Sequence, residues 1–153
     1  MPNYQNINGR NGTGGGKRNT SQEQARTFFA TKTFKKDWIQ KGADEEMVEY
    51  AEVMGKHMAK PDTGSPLTNS QIRNVYGEIK RIQMKGYEQN HSSFLLLKPK
   101  MAYAAGRQDA VGLKLLQEIF NAAYGYVNTE ETFKNFCNFM EAVLAYHKAY
   151  GGK

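Results

Sequence analysis

The chain has 153 residues, with 21 Lys and Arg against 15 Asp and Glu, giving a formal charge of +6. That length suits one domain able to bury a core without disulfides or metals, and the lone Cys137 excludes an internal disulfide. No apolar run approaches the roughly 18 residues of a membrane span, and the polar N-terminus lacks the apolar core of a signal peptide, so a cytoplasmic protein away from membranes is expected.

The charge is unevenly spread: +6 over residues 1–41, −4 over 42–66, +5 over 67–107 and −1 over 108–153. A basic excess favours an acidic partner, most simply nucleic acid or a charged protein surface. Residues 1–20 are rich in Asn, Gly and Arg and have little to bury, so they are expected to form a disordered tail ahead of a single helical domain over 21–153. Gly16-Lys17 does not complete a phosphate-binding loop. Asn11 stands where the first glycine belongs, and Arg18 replaces the hydroxyl that would hold magnesium.

Residues 21–41 have helical potential around Phe28, Phe29, Phe34, Trp38 and Ile39, ending at Gly42. Asp44-Glu45-Glu46 places acid in the first turn of a helix reaching about Ala59, with Met47, Tyr50, Ala51, Met54 and Met58 on its apolar side. Pro61 and Gly64-Ser65-Pro66 break the chain. Thr68 and Gln71 form a capping box for a long helix reaching about Glu88 on Ile72, Val75, Tyr76, Ile79 and Ile82. The next helix starts near Ser92, and Pro99 either kinks it or marks its true first turn. Gly106 is expected to end it in a left-handed conformation. A helix from about Asp109 to Gly125 carries Val111, Leu115, Leu116, Ile119, Phe120 and Ala123. Asn128 and Glu131 are expected to cap the last one, striped by Phe133, Phe136, Cys137, Met140, Val143, Leu144, His147 and Tyr150. Every useful apolar pattern has a period near 3.6, so an all-α compact bundle of five to six helices is expected.

One run combines charge with an aromatic. At roughly 100° per residue, Leu97, Met101, Ala104 and Ala105 form a core face, while Lys100, Tyr103 and Arg107 form a separate stripe. Cations flanking a flat ring suit a single-stranded nucleic acid, which offers phosphates and base faces. A solvated helix surface would carry the same cations, and Arg107 would complement a helix C-terminal dipole. Arg73 and Lys80 sit together beside the apolar side of their helix, with Arg81 farther round.

Sequence gives no catalytic or metal-binding constellation. His57, His91 and His147 lie far apart without metal-ligand spacing, His147 reads as a packing residue, and Cys137 reads as a small buried hydrophobe. No nucleophile, base and oxyanion site assemble, so no cofactor and no enzymatic role are expected.

Leu67-Thr68-Asn69-Ser70-Gln71-Ile72-Arg73 and Leu97-Lys98-Pro99-Lys100-Met101-Ala102-Tyr103-Ala104-Ala105-Gly106-Arg107, with a final helix through Phe136–His147, together resemble the small subunit of type III-A CRISPR (Csm) effector complexes over residues 34–150. The resemblance implies a non-catalytic helical protein present in several copies. Those copies would stack on one another along guide RNA and single-stranded target RNA, beside the backbone subunit. Target cleavage would belong to that backbone subunit, and DNA cleavage and signalling to the large subunit. By resemblance Arg73, Lys98, Lys100 and Arg107 become RNA-contact candidates; the helical wheel adds Lys80 and Arg81, and Tyr103 stands between the stripe's cations. The basic block at 67–107 coincides with both basic motifs. The acidic 42–66 segment would repel RNA; it suits a basic neighbouring subunit or a solvated helix face. The competing readings are an adaptor that contacts only protein and, for want of a site, least favoured, a small nuclease.

Overall fold

Short polar residues cap four of the described helices. Thr20 Oγ1 accepts the Glu23 N–H at 3.0 Å and Glu23 Oε2 accepts the Thr20 N–H at 3.3 Å, a reciprocal cap that opens α1 (Ser21–Phe29). The computed structural model describes residues 20–153, so most of the tail expected over 1–20 lies outside the described residues, as does the Gly16-Lys17 motif. After α1 come α2 (Asp37–Gln40), α3 (Glu45–Ala59), α4 (Asn69–Lys85), a 3-10 turn (Glu88–Asn90), α5 (His91–Leu95), α6 (Leu97–Gly106), α7 (Val111–Tyr124) and α8 (Glu130–Ala149). No strand occurs among the described residues, and the fold is an all-α bundle as the periodicity predicts.

Several boundaries differ from the sequence expectation. The 21–41 region is two helices, α1 and the four-residue α2, separated by a loop that carries Phe34. Helix α4 stops at Lys85 because Gly86 turns to φ +103°, which a residue with a Cβ adopts only with strain. The helix expected from Ser92 is broken at Leu96, and Pro99 falls in the first turn of α6, where its missing N–H costs nothing. Gly106 does not take a left-handed conformation: α6 runs through it, and Arg107 closes the helix by donating its N–H to Tyr103 O at 3.2 Å. The cap of α8 is Thr129 rather than Asn128, and its partner three residues into the helix is Thr132 rather than Glu131. Thr129 Oγ1 accepts the Thr132 N–H at 3.1 Å while Thr132 Oγ1 accepts the Thr129 N–H at 2.9 Å. Threonine reaches both bonds here, leaving Glu131 exposed and Glu130 free to accept the Tyr87 N–H at 3.1 Å.

Helix α8, 20 residues long, is the axis of the bundle. Phe133, Phe136, Phe139, Met140 and Val143 are buried along it, each large ring contributing roughly 1.5–3 kcal/mol by leaving water. Helix α3 lies against it so closely that a Cβ at Gly55 would sit 2.6 Å from Tyr146 Cβ. Helix α2 packs on the same helix through Trp38 against Phe139, and Asn135 Nδ2 donates to Ile39 O at 2.9 Å. His147 is buried, as its place on the apolar stripe predicts, with Nε2 2.7 Å from Leu67 O. Helix α7 buries Leu115, Leu116, Ile119 and Phe120 and packs on α1 and α6. Helices α4 and α6 lie side by side, which brings the two basic motifs together.

Candidate nucleic-acid interface

The seam between α4 and α6 is polar along its outer edge. At one end Gln71 accepts the Thr68 N–H with Oε1 at 2.9 Å and donates from Nε2 to Gln108 Oε1 at 2.8 Å, tying the start of α4 to the end of α6. Beside this bridge a small cavity of about 80 Å³ is lined by Ser70, Asn74, Tyr103, Ala104 and Arg107. At the other end Glu78 stands between Arg81 and Lys100. Arg81 Nε donates to its Oε1 at 3.1 Å, and Lys100 Nζ lies 4.0 Å from the same oxygen. The Arg81 hydrogen bond holds the Glu78 carboxyl below its usual pKa, with the Lys100 charge adding to the effect.

Lys100, Tyr103 and Arg107 share the exposed side of α6, as their spacing predicts. Tyr103 is 68% exposed, and the Arg107 guanidinium lies 5.5 Å from its ring centroid. A buried tyrosine would belong to the core; this one presents a ring face and a cation to solvent. Leu97, Met101 and Ala105 are buried on the opposite side of the same helix, so the stripe is held on a packed element.

The other candidates are placed apart from it. Arg81 turns into the bundle edge, where Nη2 donates to Ser93 Oγ at 2.9 Å, linking α4 to α5. Lys80 faces the far flank of α4: Nζ lies 3.7 Å from Glu141 of α8 and 5.2 Å from the Tyr76 ring centroid. Tyr76 and Glu141 together raise the Lys80 pKa, so it stays cationic. Arg73, one turn pair earlier, is exposed on Lys80's side of α4. Lys98 is exposed on the side of α6 toward α7, 5.8 Å from the Tyr124 centroid. The fold therefore groups Lys100, Tyr103 and Arg107, sets Arg81 beside them through Glu78, and separates Arg73 and Lys80 on one flank from Lys98 on the other.

Sequence reasoning missed Glu78, Gln71's second bond and Gln108. Glu78 was legible as an (i, i+3) partner of Arg81, but the Gln71–Gln108 bridge spans 37 positions and leaves no local signal. Cys137 is buried, and burial pushes its thiol up to about 12, far from a reactive thiolate. No described helix is long and apolar enough to cross a membrane. Among the described residues no group of three or more His, Cys, Asp or Glu side chains is placed to hold a metal ion.

The family described as Csm2 Type III-A matches residues 41–153, which takes in α3 to α8 and both basic motifs. The chain belongs to the Csm2 family. It is 31% identical over 115 residues to the CRISPR system Cms protein Csm2 of Streptococcus thermophilus, covering 72% of this chain and 95% of that protein. A second Csm2 protein, from Enterococcus italicus, is 30% identical over 95 residues, covering 55% of this chain and 68% of that protein. Membership in Csm2 makes the chain a subunit of a type III-A CRISPR complex and agrees with the resemblance carried by the motifs at 67–73 and 97–107. Other Csm subunits are accordingly its partners.

Proposed function

We propose that this Csm2-family chain is a non-catalytic scaffold that binds RNA, stacking in several copies along guide RNA and single-stranded target RNA beside the backbone and large subunits. The observation that carries this reading is the exposed Lys100–Tyr103–Arg107 face, with Arg107 over the Tyr103 ring and the stripe fixed on a helix whose other side is buried. Cations spaced along a helix supply phosphate contacts, which position a strand without reading its sequence. An assembly programmed by its guide needs such contacts, because base pairing supplies the specificity. The ring adds a surface on which any base stacks. Arg81 contributes from across the seam once Glu78 is outcompeted by phosphate. Arg73 with Lys80, and Lys98, form two further cationic points where a long RNA passes more than one edge of the bundle.

The test is salt-dependent binding of single-stranded RNA by Lys100→Gln/Arg107→Gln. Each lost phosphate contact lowers the slope of log affinity against log salt by about 0.7, so the double variant should lose about 1.4. Weakening should be similar for unrelated RNA sequences. An unchanged slope and affinity would remove RNA from this face, and no measurable RNA binding by the wild type would leave the chain an adaptor that contacts only protein.

A further inference from the structure

Packing explains some of the glycines inside the described helices and not others. At Gly55 a Cβ would lie 2.6 Å from Tyr146 Cβ, and at Gly112 one would lie 2.3 Å from Leu67 N. A Cβ built on Gly77 or Gly106 meets no atom of a neighbouring residue within 4 Å. Gly106 is the last residue of α6, where a glycine weakens little. Gly77 stands in the middle of the 17-residue α4. There a glycine costs helix stability, because it loses more conformational freedom on folding than alanine does and leaves the main chain open to water. Its φ is not positive, so no left-handed turn calls for it.

The surroundings of Gly77 are chemically uniform. Its neighbours on the helix surface are the residues three and four positions away, Arg73, Asn74, Lys80 and Arg81. Val75, Ile79 and Ile82 are buried on the opposite side of α4, so these four face outward around a bare patch of main chain. Arg73 is exposed and has no hydrogen-bond or ion-pair partner among the described residues. Lys80 is drawn to Glu141 of α8 at 3.7 Å and Arg81 to Glu78 at 3.1 Å, one to each side of the glycine. Glu78 is the only acid of α4, and it lies in the seam.

Charge and polarity choose the occupant. The centre of a protein–protein contact is apolar and poor in charge, whereas the ring around Gly77 is three cations and an amide. A phosphate-bearing strand suits it. The cations meet phosphates, Asn74 hydrogen-bonds phosphate or ribose oxygens, and the missing side chain lets the strand lie directly on the helix. Position agrees: Arg81 and Lys100 share Glu78, so this patch is continuous across the seam with the Lys100–Tyr103–Arg107 stripe.

We propose that Gly77 is a close-contact point for single-stranded RNA. The ribose–phosphate chain crosses α4 over the bare main chain, between Arg73 and Lys80 on one side and Asn74 and Arg81 on the other, and continues over the seam to the stripe. This rests on the RNA-binding reading above and adds the place where the strand crosses α4.

The full chain is titrated with single-stranded RNA as wild type, Gly77→Ala, Gly77→Gln and Lys100→Gln/Arg107→Gln. Both Gly77 substitutions place a better helix former where it meets nothing, so the melting temperature should rise, by about 2–4 °C for alanine. RNA affinity should move the other way, falling about threefold for alanine and about tenfold for the longer, neutral glutamine. Gly77→Gln should also lower the salt slope by about 0.7 as the Arg73 contact is lost. A glycine merely tolerated on an exposed helix gives the higher melting temperature with unchanged affinity. That result, beside weakened binding by the Lys100/Arg107 variant, overturns this site and leaves the RNA reading standing. No RNA binding by the wild type removes both. Weaker binding of Gly77→Gln to the other purified subunits, without RNA, would make the occupant a protein and equally overturn the proposal.

Discussion

Tyr103 and Trp38 show how differently one bundle uses its aromatic side chains. Tyr103 stands on the outside of α6, 68% exposed, with a cation over its face and a basic block around it. Trp38 is 2% exposed on α2, packed against Phe34, Tyr50 and Phe139. The first is an aromatic the fold can lose; the second is one the fold is built on. The exposed stripe depends on residues within one helix and its cap, while the packing of Trp38 needs α2, α3 and α8 to be in place first. Surface that folding does not require is where a subunit can carry charge for a partner, and residues 42–66 and 67–107 carry opposite net charges.

The sharpest way to break this comparison is to remove each ring. Trp38→Ala should destabilise by about 3–5 kcal/mol, because a large cavity opens beside Phe139. Tyr103→Ala should change stability by less than about 0.5 kcal/mol, as expected of an exposed site. Thermal unfolding of the two variants checks both, and comparable losses would mean that Tyr103 is part of the core after all.

RNA affinity should reverse that order. Tyr103→Ala should cost about 1–3 kcal/mol of single-strand binding through lost stacking, whereas Tyr50→Phe, on the other side of α8, should leave RNA affinity unchanged. A filter-binding or anisotropy titration at one fixed salt concentration reads this directly. Equal losses from the two variants would join the regions into one surface.

Glu78 offers a smaller effect with a useful sign. Glu78→Gln frees Arg81 and Lys100 from their shared carboxylate, so RNA binding should tighten and its salt dependence steepen by a fraction of the roughly 0.7 expected per phosphate contact. Weaker binding would show that Glu78 orients those cations rather than occupying them.

The smallest effect is in pH. The folded state holds the Glu78 carboxyl below its ordinary pKa, chiefly through the Arg81 hydrogen bond. The stabilisation is therefore fully present above the ordinary carboxylate pKa and is lost as pH falls through the depressed folded value. Because the pair is near the surface, the change should be slight and should shrink in high salt. Wild type and Glu78→Gln should converge in melting temperature at acid pH, and a gap that widens there would contradict the assignment.

Much of this was legible in the sequence. The 3.6-residue apolar period at Met47 to Met58, Ile72 to Ile82, Leu115 to Ala123 and Phe133 to His147 requires helices with those faces inward, because leaving so much apolar surface in water is too costly. Lys100, Tyr103 and Arg107 had to share a side once α6 was a helix, since that follows from helical spacing alone. The cap at Thr68 is equally local. Tertiary structure decided what local rules leave open. Thr129 took the cap expected of Asn128 because Thr132 could answer it, and α6 ran through Gly106 because the Arg107 N–H continued the ladder to Tyr103 O. Which cations stand together was also outside the reach of spacing: Lys80 went to Glu141 and Arg81 reached Ser93, choices set by how α4 rolls against α5 and α8. The packing of Trp38 with Tyr50 and Phe139 arises only when α2 and α3 meet on α8, because ring contacts depend on neighbours distant in sequence.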